Sequence, residues 1–399
     1  MPTDNLLLVG ILLLVALLVG WLTGRSSRPR TRRPGSLPGE YFRGLNFLLN
    51  EEPDKALEVF IRMVEVDSET LETHFALGSL FRRRGEVDRA IRIHQNLIAR
   101  PNLSRSHRTQ ALFELGEDYL KAGLLDRAES LFAELSREKS HVRPALERMI
   151  TIFEQQKDWE KAIDAARQLG SVSGQQRSRE VAHYYCELAE RDLQEHNWRG
   201  ASRHLRRAWS FDRNSVRVSL LSARLAEGED DLRRAVRHYQ QALTEDPGKA
   251  ALILPALGRL LATLGWSDQF DESVRQAARE RPDATAMIAA AALRDPTIGG
   301  RAVDECIQRY LENEAGFPGL VTLHRNLESM RQSGQPLTVR QLARMLLEQI
   351  HGEGHRYRCV ECGYHARTLY WQCPSCRCWD SFRPELDLVL MAQEGRPLT

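Results

Sequence analysis

The sequence predicts an all-α chain of stacked helix pairs, with one hydrophobic span near its N-terminus and one metal knuckle near its C-terminus. Three observations point there. Small residues recur every 34 residues from about residue 41, an uncharged apolar run fills residues 6–22, and two Cys-x-x-Cys pairs stand within residues 359–376. At 399 residues the chain exceeds what one hydrophobic core usually organises, so a repeat array or several domains is expected. Its 56 Lys+Arg nearly cancel 54 Asp+Glu, and the net +2 leaves no basic field that would make nucleic acid a partner.

The apolar run, Leu6 to Leu22, is 17 residues without a charge. At about 1.5 Å per residue it reaches roughly 26 Å, slightly less than a hydrocarbon layer of about 30 Å. Only Asp4 precedes it as a charged side chain, and bulky Trp21 and Leu22 end it, which fits an uncleaved anchor better than a signal peptide. Arg25, Arg28, Arg30, Arg32 and Arg33 follow at once. The positive-inside rule then predicts a single-pass membrane protein facing the cytoplasm, with residues 1–24 as transmembrane helix and 25–40 as a basic linker broken by Pro29, Pro34, Gly35 and Pro38.

From Tyr41 onward the repeat is carried by small residues. Gly44 and Gly78 stand 34 apart, as do Ala56 and Ala90, and Gly116 and Ala128 follow 38 later, with four extra residues in the loop over 101–106. Ala162, Ala201 and Ala235 continue at intervals of 34, 39 and 34. Gly258 and Pro282 mark a looser copy, and a further one from Asp283 to Pro318 is degenerate. Two antiparallel helices approach closely only where their side chains are small, so both small positions are expected at the contact. The segments RRRGEVDRA, LKAGLLDRA and EQQKDWEKA each place a turn and then an acid at the start of the second helix. The aromatics Phe47, Phe60, Phe81, Tyr119, Phe132, Tyr185 and Tyr239 read as core. The histidines at 74, 94, 107, 141, 183, 196, 204 and 238 share no spacing with Ser, Cys or Asp and read as surface or core groups, so no catalytic constellation appears. These units resemble the tetratricopeptide (TPR) consensus over 41–282, with degenerate helical repeats over 283–352. A TPR superhelical solenoid with a concave groove is expected.

Five of seven cysteines crowd the C-terminal end. Cys359 and Cys362 form one pair, Cys373 and Cys376 the other, with ten residues between. Two such turns can bring four thiolates to a tetrahedron around one iron or zinc ion, which ligand type alone does not separate. Gly363 suits the left-handed backbone of such a knuckle, whereas Arg377 at the matching place departs from the rubredoxin pattern. A module of residues 353–385 has too little core to fold unaided, so the metal is expected to supply folding free energy, with Tyr357, Tyr364, Tyr370, Trp371, Trp379 and Phe382 wrapping the site. Cys378 has no partner at ligand spacing, and Cys186 and Cys306 fall on helices as buried small hydrophobes. Residues 386–399 form a tail.

An anchor, a basic linker, a TPR array containing GEVDRAIRIHQ and a terminal YRC..CG.....TLYW.CPSC module together resemble the lipopolysaccharide assembly protein B (LapB, YciM) family of Gram-negative bacteria. The resemblance implies a rubredoxin-type metal module carried by Cys359, Cys362, Cys373 and Cys376. It implies a non-enzymatic adaptor at the inner membrane, working with the FtsH protease, the LpxC deacetylase and other lipopolysaccharide-pathway proteins by promoting FtsH-dependent LpxC degradation, and it allows a homo-oligomer. A general TPR scaffold or co-chaperone for envelope assembly is the alternative. A redox carrier has no need of seven helical repeats, and a nucleic-acid ribbon would want basic surface, whereas Glu361, Asp380, Glu385 and Asp387 offset the arginines around the knuckle. The module's place after the last repeats predicts that it positions the last helices of the array.

Overall fold

The structure, a computed structural model, describes residues 21, 39–50, 52–66, 71–138, 141–174, 177–281, 283–295, 297–313 and 357–384. They fall into two compact units, Met1–His141 and Val142–Thr399. The first contains α1 (Gly39–Leu49), α2 (Pro53–Val66), α3 (Leu71–Arg83), α4 (Val87–Ile98), α5 (Arg105–Lys121) and α6 (Leu125–Arg137). The second contains α7 (Val142–Gln156), α8 (Trp159–Ser173), α9 (Ser178–Gln194), α10 (Trp198–Phe211), α11 (Val216–Gly228) and α12 (Leu232–Glu245). After a 3₁₀ turn (Pro247–Lys249) come α13 (Ala250–Thr263), α14 (Asp268–Glu280), α15 (Ala284–Arg294) and α16 (Arg301–Asn313). Three short strands end it: β1 (Tyr357–Cys359), β2 (His365–Ala366) and β3 (Phe382–Pro384).

Each odd helix packs against the even helix that follows, and the 34-residue recurrence is visible in how they meet. Ala56, Ala90, Ala128, Ala162, Ala201 and Ala235, one on each even helix from α2 to α12, are fully buried. The glycines do something more specific than shorten an approach. A methyl added to Gly44 would stand 2.6 Å from the Phe60 ring, one on Gly78 2.5 Å from the His94 ring, and one on Gly116 2.8 Å from the Phe132 ring. Each glycine therefore makes room for the ring sixteen residues later on the partner helix. In the α7/α8 pair the sizes are exchanged, with Ile150 at the glycine position and Ala166 at the ring position, both buried. Volume is conserved across the contact, which is what a close-packed interface tolerates.

The turns inside the pairs repeat as well. Gly85, Gly123, Lys157, His196, Asp230 and Gly265 all have φ between 56° and 82°. A left-handed residue there ends the first helix so that the chain can fold back. Asp158, Asn197 and Asp231 then cap the next helix, their side-chain oxygens accepting from the N–H groups of Lys161 (3.2 Å), Gly200 (3.1 Å) and Arg234 (3.0 Å). Residues 283–313, too degenerate in sequence to align, still form a packed pair, α15 and α16. Six of the eleven residues of α15 are Ala, four of them in a row over 289–292, so no spacing stands out.

The helix pairs are the all-α repeats that the sequence predicts, and a three-stranded antiparallel sheet in the order β2-β1-β3 builds the small C-terminal module. One expectation is corrected: no helix among the described residues is long and apolar enough to cross a membrane. The run over 6–22, apart from Trp21, lies outside those residues, as do most of the linker and the tail. The transmembrane helix and the single-pass inner-membrane location read from the sequence are therefore not retained.

The glycine-to-ring contact makes a comparative prediction. At Gly258 an added methyl meets Phe270 only at 3.4 Å, an ordinary contact. Gly258→Ala should be neutral or gain up to ~1 kcal/mol from helix propensity. Gly116→Ala should instead lose ~1–2 kcal/mol, since overpacking outweighs that gain. Denaturant midpoints of the two variants decide it, and equal stability would contradict the proposed role of the glycine.

Candidate metal centre

The module is organised by two turns of the same construction. At the first, Cys359 N–H donates to Tyr364 O at 2.8 Å and Gly363 N–H to Cys359 O at 2.9 Å, with Gly363 at φ +75°. At the second, Cys373 N–H donates to Cys378 O and Arg377 N–H to Cys373 O, both at 2.9 Å, with Arg377 at φ +61°. The second turn thus holds a non-glycine residue in the left-handed region, where a side chain is strained. That arginine has a compensating role: with the Gln155 amide of α7 turned so that its oxygen faces the guanidinium, the orientation that satisfies both groups, the oxygen accepts from Nη1 at 2.8 Å and Nη2 at 3.1 Å. The departure from the rubredoxin pattern is a tether to the helices.

β1 pairs with β2 through Tyr357↔Ala366 and with β3 through Cys359↔Phe382, bringing the two turns together. The sulfurs of Cys359, Cys362, Cys373 and Cys376 all lie within 4.8 Å of one another. Cys359 Sγ is 3.6 Å from Cys376 Sγ, and Cys362 Sγ 3.7 Å from Cys373 Sγ. Four thiolates ~2.3 Å from a tetrahedral centre stand about 3.8 Å apart, so the four cysteines fit one iron or zinc ion. Cys378 stays outside the cluster, its sulfur turned to Cys376 O at 3.9 Å.

The thiols are unequal. Burial works against the Cys359 thiolate, but the Ser381 hydroxyl, 3.3 Å from its sulfur, and nearby backbone N–H groups bring it down to about 6. The N–H of Tyr364 lowers exposed Cys362. Burial pushes Cys373 up to about 12 and Cys376 up to about 11. A cation would relieve the cost of placing four anions together, which is the chemistry it would supply here. By contrast, burial above all lifts Cys186 to about 12 and Cys306 to about 11, leaving both as inert packing groups.

The aromatic residues divide into two sets. Phe382 forms the core with Tyr357, Cys359, Ala366 and Cys373, and half-exposed Tyr364 and Tyr370 pack on it, Tyr364 edgewise and Tyr370 tilted by 58°. Trp371 and Trp379, expected to wrap the site, instead join the module to the helices. Trp379 Nε1 donates to Glu154 Oε1 on α7 at 3.0 Å, the same oxygen that accepts from Tyr184 Oη at 2.7 Å. Its ring stacks on His183 of α9 at 5.0 Å and meets Trp159 of α8 edgewise at 6.0 Å. The Arg217 guanidinium on α11 lies over both tryptophans, at 5.3 and 5.8 Å. Lys249, 1% exposed along its side chain, donates to Phe382 O at 3.1 Å, pairs with Asp380 at 3.1 Å and lies 5.2 Å from Trp371. These contacts reach α7, α8, α9, α11 and the 3₁₀ turn, and Trp371 also packs against the apolar cluster that runs from α11 to α16.

Sequence reading missed His183, Arg217 and Lys249. His183 had no spacing signal, and Lys249 lay hidden in a segment whose Asp-Pro marked only the end of a repeat. Two other histidines do meet acids. His94 Nδ1 is 2.5 Å from Asp118 Oδ2, with Arg82 2.7 Å from the other oxygen, and His204 Nδ1 is 2.8 Å from Asp192. Among the described residues no hydroxyl or thiol bonds either imidazole, and the pairs tie neighbouring helices together.

A family model for a rubredoxin metal-binding domain matches residues 357–384, and two for tetratricopeptide repeats match 73–106 and 113–174. The chain is 35% identical over 382 residues to lipopolysaccharide assembly protein B of Escherichia coli K12, covering 94% of this chain and 97% of that one. It is 31% identical over 391 residues to the Haemophilus influenzae protein of the same name, covering 94% and 98%.

Two predictions follow from this geometry. Purified protein should carry about one iron or zinc per chain, and Cys359→Ser or Cys376→Ser should release it and change tryptophan fluorescence, with helicity largely kept. Elemental analysis finding no metal in protein prepared without chelator would refute this. The second concerns pH. Burial, then Arg217, with Lys249 and Arg179 adding to it against Asp380, lowers His183 from 6.5 to about 3. A folded pKa below the unfolded one means that the unfolded chain binds the proton more readily. The stability from neutral His183 is therefore complete above pH 6.5 and lost as pH falls toward 3, on the order of 3–5 kcal/mol. His183→Phe should flatten the pH dependence of stability in that window, and an unchanged slope would exclude the mechanism.

Proposed function

Because the chain belongs to the lipopolysaccharide assembly protein B family, we propose that it is an adaptor that restrains lipopolysaccharide synthesis by promoting FtsH-dependent degradation of the LpxC deacetylase. The observation that carries this reading is the whole-length likeness, which extends over 97% of the Escherichia coli protein and so takes in the helical repeats and the metal module together. The chain is not an enzyme: its family is one of non-catalytic repeat proteins. Helix pairs joined by short turns offer long polar faces on which two proteins can be held side by side. In this reading Cys359, Cys362, Cys373 and Cys376 hold one iron or zinc ion whose role is to keep the module folded and its tryptophans seated on the helices. LpxC, or another lipopolysaccharide-pathway protein, is the client and FtsH the protease that receives it.

Loss of an adaptor of this kind should lengthen the lifetime of LpxC several-fold and raise lipopolysaccharide output, whereas loss of a pathway enzyme would lower it. The measurement is LpxC half-life after depletion of this protein, with Cys373→Ser expected to behave like depletion. An unchanged half-life would remove the reading and leave a general TPR scaffold for envelope assembly in its place.

A further inference from the structure

A cleft of about 420 Å³ opens beside the docked module and has no part in holding metal. Its apolar wall comes from Leu220 and Leu221 of α11, Leu252 and Ala256 of α13, and Trp371 of the module. Leu252 is 43% exposed, a large apolar side chain left facing water on a helix whose other leucines are buried. The rim is polar, and its two signs are not equally presented. Arg224 and Arg259 are 60% and 66% exposed, while the carboxylates they meet, Glu190 and Glu227, are 31% and 25% exposed.

Each arginine spends one nitrogen on its acid, at 3.2 Å in both cases. Each acid is also engaged from below, Glu190 by Arg217 at 2.9 Å and Glu227 by Tyr239 Oη at 2.7 Å. The guanidinium forks therefore turn most of their donors to water, and exposed pairs of this kind contribute little, so an incoming carboxylate can replace one at small cost. Apolar floor and cationic rim together complement a chain segment that alternates carboxylates with aliphatic side chains.

We propose that this cleft binds an acidic peptide segment, an aliphatic side chain seated between Leu252 and Trp371 and its flanking carboxylates held by Arg224 and Arg259. The volume falls within the usual range for a ligand site, roughly 300–1,000 Å³. One wall belongs to the module and the others to the helices, so peptide binding is linked to the seating of Trp371, which Arg217 and Lys249 hold at 5.3 and 5.2 Å. The proposal deepens the adaptor reading by naming the kind of client segment such a protein would hold. It rests on that reading for its biological meaning only.

The test is fluorescence anisotropy of a labelled peptide, Leu-Glu-Leu-Asp-Leu, with the full chain, and Leu-Lys-Leu-Lys-Leu as control. Binding of the acidic peptide alone is expected, weakened about tenfold or more by Arg224→Ser with Arg259→Ser. Leu252→Asp, at an exposed position, should also abolish it with circular dichroism unchanged. Equal binding of both peptides, or affinity untouched by all three substitutions, would overturn the proposal. So would displacement by inorganic phosphate beyond that given by sodium chloride of equal ionic strength, which would indicate a simple anion site. None of these outcomes depends on LpxC lifetime, so failure of the titration and failure of the adaptor reading are separable.

Discussion

The convergence of four cysteine sulfurs is the constraint on which the C-terminal half of the molecule turns. The core of the module is Tyr357, Cys359, Ala366, Cys373 and Phe382, and two of those five are themselves cluster residues. So little apolar surface cannot offset the entropy of ordering the turns around it. A cation joining both turns would close the module in a way that its own packing cannot. Once closed, the module holds Trp371 and Trp379 on either side of the second cysteine turn, and the clamp formed by Glu154, His183, Arg217 and Lys249 has something to grip.

The clamp is expensive in electrostatic terms, which makes its composition informative. Arg217 and Lys249 are taken almost entirely out of water. Arg217 recovers its charge interactions from Glu187 and Glu190 at 2.6 and 2.9 Å, and Lys249 from Asp380 and the Phe382 carbonyl. The tryptophan faces supply the remaining stabilisation, an arrangement that discriminates strongly against a misplaced module because either cation without its partners would be a buried unpaired charge. His183 contributes by remaining neutral between two aromatic rings and two cations. Rigidity at this junction suits a wall of a binding cleft better than a loose tether would.

Within the helical units the governing constraint is steric. Phe60, His94 and Phe132 each stand against a glycine, Tyr239 follows buried Ala223 by the same sixteen residues, and where the ring is replaced by Ala166 the glycine position is filled by Ile150. This exchange explains why a count of glycines alone undercounts the repeat, and why Ala, present on both helices, is the steadier marker. Left-handed turn residues at Lys157, His196 and Asp230 show the same economy. The backbone requires the conformation at each unit, and a non-glycine side chain occupies it when the surrounding turn holds it in place.

The sequence by itself determined the features that act at fixed short spacing: helix pairs 34 residues apart, their turns and caps, and the four cysteines of the two knuckles. Periodicity and Cys-x-x-Cys spacing are legible because a helical turn or a knuckle brings those residues together wherever the segment lies. The apolar run over 6–22 lies, apart from Trp21, outside the described residues, and since no described helix is long and apolar enough to cross a membrane, the spanning helix read from its composition is not retained. Only the tertiary structure decided that Trp371 and Trp379 leave the metal site for the helices, and that Arg377 serves as a tether. The same holds for Lys249, which reaches a carbonyl 133 residues away, and for Glu154, which meets an indole 225 residues away. Such pairs are set by the docking of one surface on another, and no local rule of spacing encodes which faces will meet.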